Sequence, residues 1–444
     1  MAKYLFGFNV VGLSPAHLEY LEELPACSHL IKNGNKAIMK PVFPCLTIPG
    51  QASLATGKYP CDHGMIANGL FYRERLEVSF WDQYRSLLQS EPFWETIKKK
   101  RPELKTAVLF WQSTLYGKAD IIITPKPMHT DQRMIPWCYS KPVGLYENLA
   151  RQIKPFDLRH YWGPMASSMS SRWIMNAAIS VLEKHRPNLM MTYLPILDYS
   201  CQRFGPEDPR VLDDLKIVDE LIGNFLNALD SMGIKKDSVL TLFSEYSMSQ
   251  VTGAAFPNLL LRQAGLLSVR EIEGREYLDI EMSRAFAMVD HQIAHIFVQN
   301  KEDERAVAEL LQKTDGISLI LTKEQQKEYM VNHERSGELL AVADHDRWFA
   351  YYWWNDPEKA PDFAHTVDIH RKPGYDAMEL FLAPDKKGIS MDTSLIKGSH
   401  GAPAEDKDRN AVFMISGDRL EHPALAQEIE MVEVAGMLEN ILTG

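Results

Sequence analysis

The sequence predicts an α/β protein: a mostly parallel central sheet with helices on both faces, plus a small α+β subdomain. Short apolar runs of strand length alternate with longer stretches of helical periodicity, as in a sheet covered on both sides. The 444 residues are 45% hydrophobic and 24% charged, ordinary for a globular chain and ample for a large core. Between about Ala285 and Ala343 the pattern changes to short alternating strands around one charged helix. The core is therefore expected over residues 1–284 and 344–444, with the subdomain at residues 285–343.

The elements follow in chain order. Tyr4 to Val11 is an apolar first strand, and Pro15 to Ile31 reads as one helix after it. Further strands are expected at Ala37 to Met39, Thr106 to Phe110, Leu189 to Leu194 and Ser238 to Phe243, with a long helix over Pro209 to Met232. Inside the subdomain the sequence predicts a strand from Phe286 to Val298, a helix from Glu302 to Lys313, and strands at Ile317 to Leu321 and Glu338 to Ala343. The aromatic run Trp348 to Trp354 reads as core or as a cover over a pocket.

Charge and cysteine usage narrow the function. Lys and Arg number 48 against 59 Asp and Glu, a net charge of −11, so an extended phosphate backbone is repelled on average. The expected partner is a small phosphorylated substrate, with no nucleic acid polymer and no membrane, and the oligomeric state is left open. Cys27, Cys45, Cys61, Cys138 and Cys201 are odd in number and form no CxxC pair, which disfavours a disulfide framework and a zinc knuckle. Together with an N-terminal apolar run too short for a signal peptide, this predicts a cytoplasmic location.

The chemistry concentrates in Phe43-Pro44-Cys45-Leu46-Thr47-Ile48-Pro49-Gly50, which runs on through Thr56-Gly57-Lys58-Tyr59-Pro60 to His63-Gly64 and Asn68. A hydroxyl at Thr47, just before a helix-starting Pro49, meets an anion at a helix N-terminus, a geometry suited to phosphate. Thr47 is the candidate nucleophile. Other candidates lie where strands are expected to end: Asn9, Asp198 and Glu245, where open α/β sheets place their sites.

The Thr47 segment resembles the alkaline phosphatase superfamily, in particular its type I phosphodiesterase and nucleotide pyrophosphatase branch, with the pattern FPxxTxPxxxxLxTGxYPxxHGxxxN. The resemblance implies an alkaline phosphatase-like core, Thr47 as nucleophile and Asn68 as a holder of phosphoryl oxygens. It also implies divalent metal ions, two in the family, whose identity here (zinc, manganese or magnesium) depends on the ligands.

Those ligands depart from the family. In Asp198-Tyr199-Ser200-Cys201-Gln202, Asp198 matches a metal ligand but Gln202 replaces a His, weakening the case for zinc. Glu245 and Tyr246 stand where the family has an Asp-His pair. Val11 holds the slot of a first-strand Asp, leaving Asn9, two residues earlier on the same face, as a substitute. The position nearest Thr47 would then be lined by Asn9, Thr47, Glu245 and Tyr246, oxygen donors that suit magnesium or manganese.

His400, in Lys397-Gly398-Ser399-His400-Gly401, is the favoured last ligand, and His370, with Arg371 and Lys372 beside it, is a second candidate ligand or phosphate contact. Asp290-His291-Gln292-Ile293-Ala294-His295 is a weaker candidate, for the rim of a pocket. By resemblance the chain is a metal-dependent hydrolase of phosphodiester or pyrophosphate bonds, possibly in a nucleotide, working through a phosphothreonine intermediate. A phosphomonoesterase, phosphomutase or phosphonate hydrolase of the same superfamily, or a non-catalytic binder of a phospho-ligand or partner protein, remains an alternative.

Overall fold

The computed structural model describes residues 2–131, 133–404, 409–420 and 425–444. Its main element is a nine-stranded sheet. In chain order the strands are β1 (Tyr4–Val10), β2 (Gly34–Lys40), β3 (Thr106–Leu109), β4 (Ile121–Pro125), β5 (Cys138–Lys141), β6 (Leu189–Leu194) and β7 (Ser238–Phe243). After the smaller sheet of β8 (Ala285–Asp290), β9 (Ile293–Val298), β10 (Ile317–Thr322) and β11 (Leu339–Ala343), the chain returns to the main one with β12 (Ala411–Ser416) and β13 (Glu428–Glu430).

The strands lie in the order β13-β2-β12-β7-β1-β6-β3-β4-β5. The stretch from β7 to β4 is parallel throughout, while β12 and β5 run against their neighbours. Both faces are covered, as the alternation predicts. Phe6, Phe8, Met190 and Leu240 face one core, packed by helices Ser168–His185 and Pro209–Ser231, while Leu5, Met191, Val239 and Phe413 face the other, against Val434–Thr443. Burying one such side chain is worth about 1.5–3 kcal/mol, so the sheet is held chiefly by these layers.

Two expected elements are corrected. The single helix over Pro15 to Ile31 is broken into short turns at Pro15–His17 and Leu18–Leu21 and a separate helix Pro25–Lys32. Pro25 lacks the N–H needed to continue a helix but suits the first position of a new one. The strand expected over Phe286 to Val298 is a hairpin of β8 and β9, which pair from Ala285↔Val298 to Asp290↔Ile293 and leave His291-Gln292 as the turn.

The smaller sheet, in the order β8-β9-β11-β10, is antiparallel throughout. Its apolar side chains join a core that also holds the aromatic run, every residue of which from Trp348 to Trp354 is buried. That run is core. The site therefore lies between the carboxyl ends of the parallel strands and the tip of the β8–β9 hairpin.

Candidate active site

Thr47 opens the helix α1 (Thr47–Thr56), entered through an extended Leu46. No side chain caps this end in the usual way; instead Asn68 Oδ1 accepts from the Ile48 N–H at 2.9 Å, satisfying one of the donors a helix start leaves over. Thr47 is 4% exposed, and its hydroxyl lies 2.9 Å from the Tyr246 phenol. A Cβ at Gly50 would stand 3.2 Å from Glu245 Cβ, closer than ordinary contact, because the α1 backbone packs directly on that side chain.

Asn9 is the next-to-last residue of β1, opposite Phe243, and Glu245 and Tyr246 follow β7, the neighbouring strand, so the parallel register brings all three together. Glu245 Oε1 accepts from Asn9 Nδ2 and from Gln51 Nε2, both at 2.5 Å. Gln51 was not singled out by sequence. It sits one turn after Thr47 on the same helix face, and its own Oε1 accepts from the Gln112 N–H at 2.7 Å beyond β3.

Asp198 and Gln202 lie one turn apart on the helix α2 (Ile196–Phe204) after β6, and Gln202 Nε2 donates to Asp198 Oδ2 at 2.8 Å. Gln202 Oε1 in turn accepts from the Tyr375 hydroxyl at 2.9 Å. His400 Nδ1 faces the Cys45 carbonyl at 2.7 Å, and since a carbonyl only accepts, the proton is on Nδ1. The remaining nitrogen, Nε2, lies 3.9 Å from Asp198 Oδ1. The His400 ring stacks on Tyr246, with centroids 3.7 Å apart.

His370 is exposed on a turn, away from this buried group. Its neighbours are engaged elsewhere: Arg371 pairs with Asp362 and Asp368, and Lys372 is buried between Asp376 at 2.8 Å and Glu379 at 2.6 Å. Neither cation faces the Thr47 hydroxyl. From the same segment it is Tyr375 that reaches the buried group, its hydroxyl donating to Gln202 Oε1. His295, expected at a rim, is buried in β9 with its ring on the Ile66 carbonyl.

Electrostatics mark the place. Burial pushes the Asp198 carboxyl up to about 7 and that of Glu245 up to about 8, and the amide hydrogen bonds to each offset only part of the cost. Burial holds His400 well below the ordinary histidine range, so its ring is neutral. Asn9 Oδ1, Glu245 Oε2 and Asp198 Oδ1 are buried without a hydrogen-bond partner. Orphaned carboxylate and amide oxygens of this kind are costly unless a cation meets them, and the donor set fits a hard, oxygen-seeking ion. Among the described residues no group of three or more His, Cys, Asp or Glu side chains is placed to hold a metal ion by itself.

A family profile of type I phosphodiesterases and nucleotide pyrophosphatases matches residues 5–376. The chain belongs to this family. Mouse ectonucleotide pyrophosphatase/phosphodiesterase family member 1 is 27% identical over 255 residues, 56% of this chain and 23% of that protein. Ectonucleotide pyrophosphatase/phosphodiesterase 2 of Saccharomyces cerevisiae is 24% identical over 230 residues, 48% of this chain and 39% of that protein. The chain thus spans well under half the length of these relatives. Murine ectonucleotide pyrophosphatase/phosphodiesterase 5, solved as an inactive variant in complex with AMP, aligns with a TM-score of 0.64 at 16% identity over 100% of this chain and 95% of that one. The fold is shared.

Proposed function

We propose that the chain hydrolyses a phosphodiester or pyrophosphate bond in a small phosphorylated substrate, a nucleotide being the first class to try. Family membership and the AMP carried by the murine neighbour support this reading. The single observation that carries it is the Thr47 hydroxyl at the start of α1, with Asn68 bound to the same helix end.

In this reading Thr47 Oγ loses its proton to solvent and attacks phosphorus in line, the bond to the leaving oxygen breaks and that oxygen takes up a proton. Water then hydrolyses the resulting phosphothreonine, which still carries the other substituent, to release the phosphomonoester and restore the Thr47 hydroxyl. Tyr246 orients the hydroxyl through its 2.9 Å contact. The Asn68 side-chain N–H not given to Asp290 and the Thr47 N–H meet the non-bridging oxygens as charge spreads over them, since the Ile48 and Gly50 N–H groups are already taken by Asn68 Oδ1 and the Leu46 carbonyl and Pro49 has none. Asn9, Thr47, Glu245 and Tyr246 would hold one hard divalent ion, and Asp198, Gln202 and His400 a second, with magnesium or manganese favoured over zinc. Such an ion supplies neutralisation of phosphoryl charge and a lower pKa for a bound hydroxyl.

The five cysteines are all unpaired thiols, which supports a reducing compartment such as the cytoplasm. Among the described residues no helix is long and apolar enough to cross a membrane.

The test is hydrolysis of a chromogenic diester against its monoester, with magnesium, manganese and zinc each supplied to chelated protein. Diester turnover supports the proposal; monoester preference points to a phosphatase or mutase. A second reading, a non-catalytic binder of a phospho-ligand, is favoured by the amides of Asn9 and Gln51 wrapped around Glu245, and inert protein that still binds phosphate would select it.

A further inference from the structure

The β8–β9 hairpin ends in a two-residue turn whose first residue, His291, has φ +58°. Glycine or asparagine is the ordinary choice at such a position, because a Cβ there is strained. A buried histidine kept in that conformation is held by its surroundings. His291 Nδ1 lies 2.7 Å from Asp290 Oδ1. Its ring lies between Tyr375 and His400, with centroids 3.6 and 3.9 Å away. The backbone locks the same contact, since the Gln292 N–H donates to the His400 carbonyl at 2.9 Å.

Asp290 also faces the other half of the site. Its Oδ2 accepts from the Asn68 N–H at 2.7 Å and its Oδ1 from Asn68 Nδ2 at 3.1 Å. Asn68 Oδ1 is thereby turned toward the Ile48 N–H at the helix start. One buried carboxylate, delivered by the smaller sheet, thus orients the Asn68 amide beside Thr47 and the imidazole stacked on His400.

We propose that Asp290 is a positioning residue of the site, fixing Asn68 for the phosphoryl oxygens through one pair of hydrogen bonds and His400 through the His291 ring. The inference rests on the hydrolase reading above. Asp290 touches no reacting atom. It acts by holding Asn68, which would meet the phosphoryl oxygens, and His400, which would hold an ion, as partners behind metal and oxyanion ligands commonly do.

The test is a double-mutant cycle of Asp290→Asn with Asn68→Ala, read by diester hydrolysis in manganese and, separately, by calorimetric binding of inorganic phosphate. An amide at residue 290 keeps the shape but presents a donor to Asn68 or His291. Asp290→Asn alone should lower kcat about 10–100-fold with KM within about threefold, and weaken phosphate by about tenfold. On the Asn68→Ala background the same substitution should cost clearly less, because only the route through His291 to His400 remains. The His291 Nδ1–H proton resonance should also shift or vanish in Asp290→Asn.

Equal losses on both backgrounds, or a fall in melting temperature with kcat per folded molecule unchanged, would overturn the proposal. If Asp290→Asn fails to fold, His291→Gly replaces it. Glycine suits φ +58°, so the turn is kept while the His400 contact is lost, and an unchanged kcat and phosphate affinity there contradicts the proposal. A wild-type chain that hydrolyses nothing defeats the hydrolase reading alone, because the phosphate and resonance measurements still decide the role of Asp290.

Discussion

The two sides of the site differ in how far they have moved from the family pattern. On the phosphoryl side, Thr47, Pro49, Thr56-Gly57, Tyr59-Pro60, His63-Gly64 and Asn68 all match the pattern, and Thr47, Pro49, Pro60, His63, Gly64 and Asn68 are buried while Thr56, Gly57 and Tyr59 are half-buried. On the cation side, Val11, Gln202, Glu245 and Tyr246 replace charged or imidazole ligands, and amides from Asn9, Gln51 and Gln202 surround the remaining carboxylates. On the proposed reading, the residues that would hold a phosphoryl group are kept while the charge that would neutralise it is reduced.

The largest effect expected is on the phosphoryl side. Thr47→Ala should lower kcat for a diester by on the order of 10⁴-fold or more with little change in melting temperature, since it removes one hydroxyl and leaves α1 intact. Next comes Asn68→Ala, for which a loss of about 10²–10³ in kcat is expected, the usual cost of one oxyanion donor. Steady-state kinetics checks both. A Thr47→Ala enzyme as active as the wild type would remove the distinction between the two sides.

On the cation side a smaller gain is expected. Gln202→His places an imidazole one turn from Asp198 on α2 and should tighten zinc binding by about 10–100-fold, measured by competition with a chelating dye. No gain would mean that Asp198 and His400 do not share an ion.

The smallest effect on activity, though a clear one on stability, comes from two neutral histidines that brace the phosphoryl side. His63 bonds Ser53 at 2.9 Å and accepts from the Met65 N–H, while His295 bonds the Ile66 carbonyl at 3.1 Å. Burial lowers each to about 3. A depressed folded pKa means that below the ordinary value near 6.5 only the unfolded chain takes up the proton, so stability falls as pH drops from about 6.5 toward 3. Each group should cost about 2 kcal/mol at pH 5 relative to pH 7, and His295→Gln should flatten the slope of urea midpoints over that range.

Much of the fold was legible because the central strands are continuous apolar runs. Leu189–Leu194 and Ser238–Phe243 appear at the expected residues, since burial on both faces leaves little else for such runs to do. The helix break at Pro25 was written in the sequence but outweighed by the apolar period around it. The turn at His291 was hidden for a physical reason: it carries none of the usual turn residues, because side-chain contacts and not glycine hold its positive φ.

In the site, Thr47, Asn68, Asp198, Glu245, Tyr246 and His400 are brought together by the strand ends that the alternation anticipates. Gln51 and Tyr375 were not legible, and the Asp290–His295 segment reads only as a pocket rim, for amides, phenols and carboxylates become site residues only through partners far away in the chain, as Tyr375 does through Gln202. His370 shows the converse, a motif-like residue left exposed by the turn that carries it.

The central claim is that the Thr47 hydroxyl displaces an oxygen leaving group from phosphorus. Acid quenching of the protein during turnover of a diester, followed by mass measurement of the peptide spanning Phe43 to Lys58, tests it most directly. A substrate-derived phosphoryl adduct on Thr47, absent from Thr47→Ala, is the predicted result. Turnover that proceeds with no adduct at any quench time and survives in Thr47→Ala would contradict it.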